Sequence, residues 1–108
     1  MNFEPGTGYE YNNFGYLLLA NIIEKVSGQS YADFMEQAVF NPIGMKNSAS
    51  ATFNNVSEKA NPYFGLGMDE FEKFETPYHA SWLMGAADVN STTADLYKFM
   101  QALNKGNL

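Results

Sequence analysis

The feature that most constrains this chain is a predicted helix that is apolar around most of its circumference. The helix is predicted from about Phe14 to Ser27, with Asn13 as its N-terminal cap and Gly28 in the left-handed conformation that closes it. Its polar side chains form only a narrow stripe, namely Asn21, Glu24 and Lys25. A helix of this kind is normally buried on several sides, which is more cover than a chain of 108 residues easily provides.

A second helix is predicted from Ser30 to about Phe40. Ser30 and Asp33 match a capping box, in which the side chains of the first turn satisfy free backbone amides. Apolar side chains then recur at helical spacing along one face, namely Tyr31, Phe34, Met35, Ala38 and Val39. Asn41 precedes a proline and therefore ends the helix, because a residue in that position avoids helical backbone angles.

A third helix is predicted from the capping pair Thr92 and Asp95 to about Asn104. Between the second and third helices the signal is weak, and we interpret the alternation from Phe71 to Glu75 as irregular structure. The sequence therefore predicts one mainly helical (mainly α) unit. Its predicted core comes from all three helices and consists of Leu18, Leu19, Ile22, Ile23, Phe34, Val39, Leu96, Phe99 and Met100.

The charge balance excludes several classes of partner. The chain carries six Lys, no Arg and twelve acidic residues, for a formal net charge of −6. Such a chain has no electrostatic means of holding a phosphate backbone, so we expect no nucleic-acid binding and no adhesion to a membrane through a basic patch. We also expect no membrane span, because the longest apolar stretch is far shorter than the ~20 residues that a span needs.

Metal and cofactor sites find little support in the sequence. Cysteine is absent and only one histidine is present, which excludes thiolate and multi-histidine metal sites. The acidic group Asp69, Glu70, Glu72 and Glu75 fits no ligand loop, and we interpret it as a solvated face. His79 is interpreted as a loop histidine. We therefore predict neither a metal nor a cofactor.

The best local candidate for chemistry is Tyr11-Asn12-Asn13, where a glycine-rich loop meets the apolar helix. A loop on a rigid helix can present polar groups to a cleft. The phenol of Tyr11 is suited to exchanging a proton with a substrate, and the amide of Asn13 is suited to binding a carbonyl. The alternative is that Tyr11 packs by its ring and that Asn13 only caps the helix.

Three blocks of sequence stand in order along the chain and carry a resemblance to a known family. They are Phe3-x-Pro5-Gly6-Thr7-x-x-x-Tyr11-x-Asn13-x-Gly15-Tyr16, Phe40-x-Pro42-Ile43-Gly44-Met45 and Gly85-Ala86-Ala87-Asp88-Val89-x-Ser91-Thr92. Together they resemble the serine β-lactamase and penicillin-binding-protein-like family, which includes class C β-lactamases, D-alanyl-D-alanine carboxypeptidases and related esterases. The resemblance implies a piece of the helical subdomain of an α/β serine β-lactamase/transpeptidase-like fold.

The resemblance also implies roles for two residues. Tyr11 matches the catalytic tyrosine that assists proton transfer to and from the nucleophilic serine, and Asn13 matches the asparagine that binds the amide of the substrate. The position between them is often serine in the family and is Asn12 here, which we interpret as a modest departure.

Two motifs of the family are missing from these 108 residues. No serine is followed by lysine three positions later, so the Ser-x-x-Lys nucleophile motif is absent, and neither Lys-Thr-Gly nor His-x-Gly occurs. The family places these motifs before and after the three matched blocks. We therefore expect residues 1–108 to be a single partial domain from the interior of a longer enzyme, inactive on its own.

The longer protein is expected to be a serine hydrolase that acts through an acyl-enzyme on β-lactams, D-alanyl peptides or esters, with peptidoglycan-like small molecules among its partners. The alternative is a non-catalytic binding or interaction module built from the same helical region. Because the apolar helix would lack cover, we expect the chain to self-associate into a dimer or a larger oligomer. The family resemblance also suggests an extracytoplasmic location.

Overall fold

The computed structural model describes residues 2–50, 60–65, 67, 70–75 and 80–108 of the chain. This part of the chain combines α-helices with two pairs of short antiparallel strands. In chain order the elements are α1 (Asn13–Ser27), α2 (Tyr31–Met35) with a π-helical continuation (Glu36–Phe40), β1 (Ala49–Ser50), β2 (Tyr63–Gly65), β3 (Phe71–Lys73), a 3-10 turn (Ala80–Leu83), β4 (Val89–Asn90) and α3 (Thr93–Lys105). Within these ranges, no helix has both the length and the apolar character that crossing a bilayer would require.

The prediction of a mainly helical fold is wrong, because strand pairs accompany the helices. β2 pairs with β3 in the register Tyr63↔Lys73, and β1 pairs with β4 in the register Ala49↔Asn90. The alternation that begins at Phe71, interpreted above as irregular, contains strand β3. Each strand has only two or three residues, and β1 lies far from β4 in sequence, so local periodicity could not predict the pairing.

Helix α2 follows its predicted boundaries with one irregularity. The Ser30 hydroxyl oxygen accepts the backbone N–H of Asp33 at 3.1 Å, which confirms Ser30 as the N-terminal cap. The last turn widens, since the N–H of Asn41 donates to the carbonyl of Glu36, five residues back, at 2.9 Å. Phe40 in this turn is buried. The helix ends before Asn41 as predicted, but Asn41 itself has helical backbone angles (φ −64°, ψ −47°), so the predicted reason for the end is wrong.

Helix α3 also begins and ends close to the predicted residues. The Thr92 hydroxyl accepts the backbone N–H of Asp95 at 3.3 Å and caps the first turn. Gly106 follows the last helical residue with a φ of 68°, a left-handed conformation that glycine adopts without steric cost.

The core is smaller than the sequence predicts. Among the described residues, the buried apolar side chains are Ala20, Tyr31, Phe40, Met45 and Ala102. Five predicted core side chains are instead 49–56% exposed, namely Leu18, Leu19, Ile22, Leu96 and Met100. The other four, Ile23, Phe34, Val39 and Phe99, are half-buried. Among the described residues, Ala20 is the buried residue of α1, and Asp95 and Ala102 are the buried residues of α3. The expected exposure of apolar surface on the first helix is confirmed.

A tight bend at Gly85 packs directly against the buried side of α1. A β-carbon on Gly85 would lie 2.8 Å from both the Ala20 β-carbon and the Tyr16 carbonyl oxygen, closer than real contacts of this kind. Gly85 also has a φ of 78°, which other residues rarely adopt. Only glycine therefore allows the bend to lie directly on α1.

A buried carboxylate joins α3 to the loop before β1. Asp95 is fully buried, and its Oδ2 accepts the backbone N–H of Asn47 at 2.7 Å and the hydroxyl of Ser48 at 3.0 Å. Its Oδ1 accepts from Lys98 Nζ at 2.7 Å, and the same ammonium group donates to the Gly44 carbonyl at 2.6 Å. The hydrogen bond from Lys98 is the main reason that the pKa of Asp95 is lowered, and the bonds from Asn47 and Ser48 add to this effect against the opposing effect of burial.

A second buried carboxylate lies beside the β1–β4 pair. Asp88 accepts a hydrogen bond from the Ser50 hydroxyl and another, at 2.9 Å, from the backbone N–H of Gly85. It therefore fixes the bend that rests on α1. Burial raises the pKa of the nearby Tyr31 phenol, and the negative charge of Asp88 raises it further.

Candidate functional site

The loop that leads into α1 is closed by contacts between its two ends. The side-chain amide of Asn2 donates to Glu10 Oε2 at 2.6 Å. The Phe3 ring lies against Gly8, where a β-carbon would come within 2.9 Å of the ring. These contacts hold the residue immediately before Tyr11, so the tyrosine leaves a closed loop and enters the helix within two residues.

The cap of α1 is Asn12, and the prediction that Asn13 is the cap is wrong. Asn12 has extended backbone angles (φ −151°, ψ 112°), and its Oδ1 accepts the N–H of Phe14 at 2.7 Å and that of Gly15 at 3.3 Å. Asn13 is the first helical residue. Asparagine is favourable as a cap at either position, so residue type alone could not separate them, and the backbone angles decide.

The capping bond leaves the polar groups on both sides of it free. The side chain of Tyr11 is 72% exposed, and Asn13 is also exposed. Within the part of the chain that the structure describes, no hydrogen bond engages either side chain. The Tyr11 ring is therefore mostly unpacked among the described residues, Asn13 is not the cap, and both groups are accessible to a small molecule.

The far end of α1 is also fixed. Gly28 has a φ of 72°, and its N–H donates to the Glu24 carbonyl at 2.9 Å to close the helix. The Glu24 side chain then accepts the backbone N–H of Tyr31 at 2.8 Å, at the start of α2. Tyr11 and Asn13 therefore lie at the start of a helix whose two ends are held by hydrogen bonds and whose middle packs against the Gly85 bend.

The described residues hold no group of side chains suited to a metal ion. Among the described ranges, no three His, Cys, Asp or Glu side chains are grouped so that they could hold a metal ion. Of the acidic group, Glu70, Glu72 and Glu75 are exposed, whereas Asp69 lies outside the described residues, as does His79.

Comparison with known proteins gives consistent matches along the whole chain. The sequence profile described as Beta-lactamase matches residues 1–108. A penicillin-binding protein of Bacillus subtilis (strain 168) is 38% identical over 113 residues, covering 94% of this chain and 25% of that protein. A D-aminopeptidase of Gluconobacter oxydans (strain 621H) is 35% identical over 98 residues, covering 89% of this chain and 18% of that protein.

The fold is similar to solved structures as well. The crystal structure of a D-amino acid amidase from Ochrobactrum anthropi SV3, complexed with D-phenylalanine, superimposes with a TM-score of 0.78 at 29% identity. The match covers 97% of this chain and 33% of that one. The 108 residues therefore span between about a fifth and a third of the proteins they resemble.

Proposed function

Because this chain belongs to the Beta-lactamase family, we propose that it is the part of a serine hydrolase in which Tyr11 transfers protons and Asn13 binds substrate. One observation carries the proposal. The Tyr11 phenol and the Asn13 amide are exposed on either side of the residue that caps α1, without a hydrogen-bond partner among the described residues.

The proposed reaction is acyl transfer through a serine. As the serine oxygen attacks the carbonyl carbon of the substrate, the hydroxyl loses a proton, and as the carbonyl–nitrogen bond breaks, the leaving nitrogen gains one. The Tyr11 oxygen beside both groups relays the proton, because as a phenolate it accepts the first proton and as a phenol it donates that proton to the leaving nitrogen, so Tyr11 ends the step unchanged. Water then attacks the acyl-enzyme by the reverse sequence and releases the product acid.

The proposed substrates share one chemical feature. The relatives are a penicillin-binding protein, a D-aminopeptidase and a D-amino acid amidase solved with D-phenylalanine. Penicillins, D-amino acid amides and esters all present to a nucleophile a carbonyl carbon that bears a leaving group. We therefore propose β-lactams, D-alanyl peptides or related amides and esters, with the Asn13 side chain hydrogen-bonded to the amide group of the substrate.

The nucleophile has to come from residues beyond the 108 of this chain. No Ser-x-x-Lys is present here, and the curated relatives are about four to six times as long as the matched part. We propose that residues 1–108 form a single partial domain of such a longer protein. On its own the chain then hydrolyses neither a chromogenic cephalosporin nor D-alanine p-nitroanilide.

A second proposal concerns self-association, and one observation favours it. Much of α1 is apolar and exposed, with six large side chains at 49–84% exposure, namely Phe14, Tyr16, Leu18, Leu19, Ile22 and Val26. Exposed apolar area of this extent favours contact with another surface. In the isolated chain we propose that a second copy covers it, and the alternative of a non-catalytic binding module would use the same face.

The activity is tested by transplanting this chain into a complete relative. Residues 1–108 replace the matched quarter of the Bacillus subtilis penicillin-binding protein, which supplies its own remaining residues. The graft is expected to be labelled covalently by a fluorescent penicillin, and Tyr11→Phe is expected to lose most of that labelling. A folded graft that is labelled equally well with and without the Tyr11 hydroxyl would overturn the proposal.

A further inference from the structure

We propose that Asn12 is a positioning residue for the reaction, and that its side chain sets the placement of Tyr11 and Asn13. The inference rests on the proposed function, because it concerns the two residues to which that function assigns proton transfer and substrate binding. The sequence had suggested no part for Asn12 beyond a modest departure from a family pattern.

The Asn12 side chain holds its own backbone to the start of α1. Asn12 Oδ1 accepts two consecutive backbone N–H groups, from Phe14 at 2.7 Å and from Gly15 at 3.3 Å. These bonds tie the extended backbone of Asn12 to the first turn of α1. The backbone of Asn12 is joined directly to Tyr11 on one side and to Asn13, the first helical residue, on the other, so the capping bond sets the orientation of both neighbours relative to the helix.

Asn12 holds the chain by hydrogen bonds on the helix side of Tyr11. Upstream, Glu10 is held by the side-chain amide of Asn2 at 2.6 Å. Downstream, the Asn12 side chain attaches the backbone to the first turn of α1. The exposed side chains of Tyr11 and Asn13 make no hydrogen bond among the described residues. Without the cap, the first turn would exchange its hydrogen bonds with water and Tyr11 would be held from one side alone.

The distance between a lost cap and the reacting groups determines whether the reaction rate changes. A reacting group that is displaced by about 1 Å can slow a reaction on the order of 100-fold. Loss of the Asn12 cap releases the turn to which Tyr11 and Asn13 are attached, whereas the same loss at a cap far from Tyr11 is expected to change stability alone. The two effects can therefore be separated by comparing caps at different sites.

The matched control is Ser30, which caps α2 through the Asp33 amide at 3.1 Å. The experiment measures the second-order rate constant for acylation by a fluorescent penicillin in the graft described above. Asn12→Ala is expected to lower that constant by about tenfold or more, by the positioning argument. Asn12→Ser keeps a capping oxygen and is expected to restore the rate to within about twofold. Ser30→Ala is expected to leave it unchanged.

The outcomes distinguish this inference from the proposed function. Should Tyr11→Phe abolish acylation while Asn12→Ala acylates normally, the positioning role is overturned and the proposed function stands. Should Tyr11→Phe acylate normally, both fall. Equal slowing by Ser30→Ala and Asn12→Ala, or no recovery in Asn12→Ser, also overturns the positioning role. If Asn12→Ala does not fold, Asn12→Gly replaces it, because glycine preserves most of the stability of a cap without the side-chain bond.

Discussion

Asn12 Oδ1 lies 2.7 Å from the amide nitrogen of Phe14, and this one contact decides what its neighbours can do. Because Asn12 satisfies the first turn of α1, the amide of Asn13 is not needed there and stays exposed. Tyr11 precedes the cap and is exposed as well. The proposed site and the start of α1 therefore share three consecutive residues, with the capping side chain in the middle and the two proposed functional groups on either side of it.

The first prediction separates the two asparagines by stability. Asn12→Ala removes the capping oxygen and is expected to lower the free energy of unfolding by about 1 kcal/mol. Asn13→Ala removes an exposed side chain without a described hydrogen bond, and is expected to change it by less than about 0.5 kcal/mol. Urea unfolding of the three proteins measures both values. A larger loss in Asn13→Ala than in Asn12→Ala would mean that the cap has been misassigned.

The second prediction concerns the bend that rests on α1. Gly85→Ala introduces a β-carbon 2.8 Å from Ala20 and strains a left-handed backbone, so it is expected to destabilise the chain by about 1–3 kcal/mol. Gly15→Ala is the matched control, because Gly15 is helical and a β-carbon there meets nothing within 4 Å. It is expected to stabilise by about 0.5–1 kcal/mol. Thermal unfolding shows whether each variant is more or less stable than the wild type. Equal effects of the two substitutions would contradict the packing of Gly85 against Ala20.

The third prediction is a dependence of stability on acid. The pKa of Asp95 is lowered from 3.8 in the folded chain, above all by the hydrogen bond from Lys98. Its contribution to stability is therefore fully present above pH 3.8, and it is lost as the pH falls through the lower folded value. Asp95→Asn should lower stability at neutral pH and flatten the acid limb of the stability curve.

The matched control for the acid limb is Glu72→Gln, which neutralises an exposed carboxylate on β3. Glu72→Gln is expected to keep the wild-type acid limb, measured by urea unfolding between neutral pH and pH 3. An acid limb that is as steep in Asp95→Asn as in the wild type would show that another group is responsible.

The fourth prediction concerns oligomeric state. The apolar face of α1 should hold copies of the isolated chain together, so light scattering at high concentration is expected to give the mass of a dimer or a larger species. Leu18→Glu combined with Ile22→Glu places two carboxylates on that face and is expected to return a monomer. Gln101→Glu, an exposed change on α3, should not alter the mass. A monomeric wild type would count against the self-association.

The helix boundaries were predictable because their signals are local. Ser30 and Thr92 each cap the helix that follows, and Gly28 ends α1 in the left-handed conformation, as the sequence predicted. A cap acts within three residues of itself, so a short window of sequence contains the whole interaction. The cap was wrongly predicted at Asn13 because Asn12 and Asn13 are adjacent asparagines, and asparagine is equally favourable as a cap at either position.

The remaining features were not predictable because they depend on distant partners. Asp95 was predicted only as a capping residue, yet it is fully buried and accepts hydrogen bonds from Asn47 and Ser48, nearly half the chain away. The pairing of β1 with β4 likewise joins residues that are far apart in the sequence, so local patterns could not predict it. The predicted core was wrong at Leu18 and Met100 because an apolar stripe shows that a helix needs cover, but not which side its neighbours reach.

The central claim is that Tyr11 transfers the proton in serine acylation, and one rate constant tests it most directly. The acylation rate of the graft by a fluorescent penicillin is compared between Tyr11→Phe and Tyr9→Phe, the latter removing a hydroxyl from a ring that is 88% exposed two residues earlier. The account predicts a loss of about 10²–10⁴-fold in Tyr11→Phe, the usual contribution of proton transfer by a positioned side chain, and an unchanged rate in Tyr9→Phe. Equal rates in the two variants would contradict it.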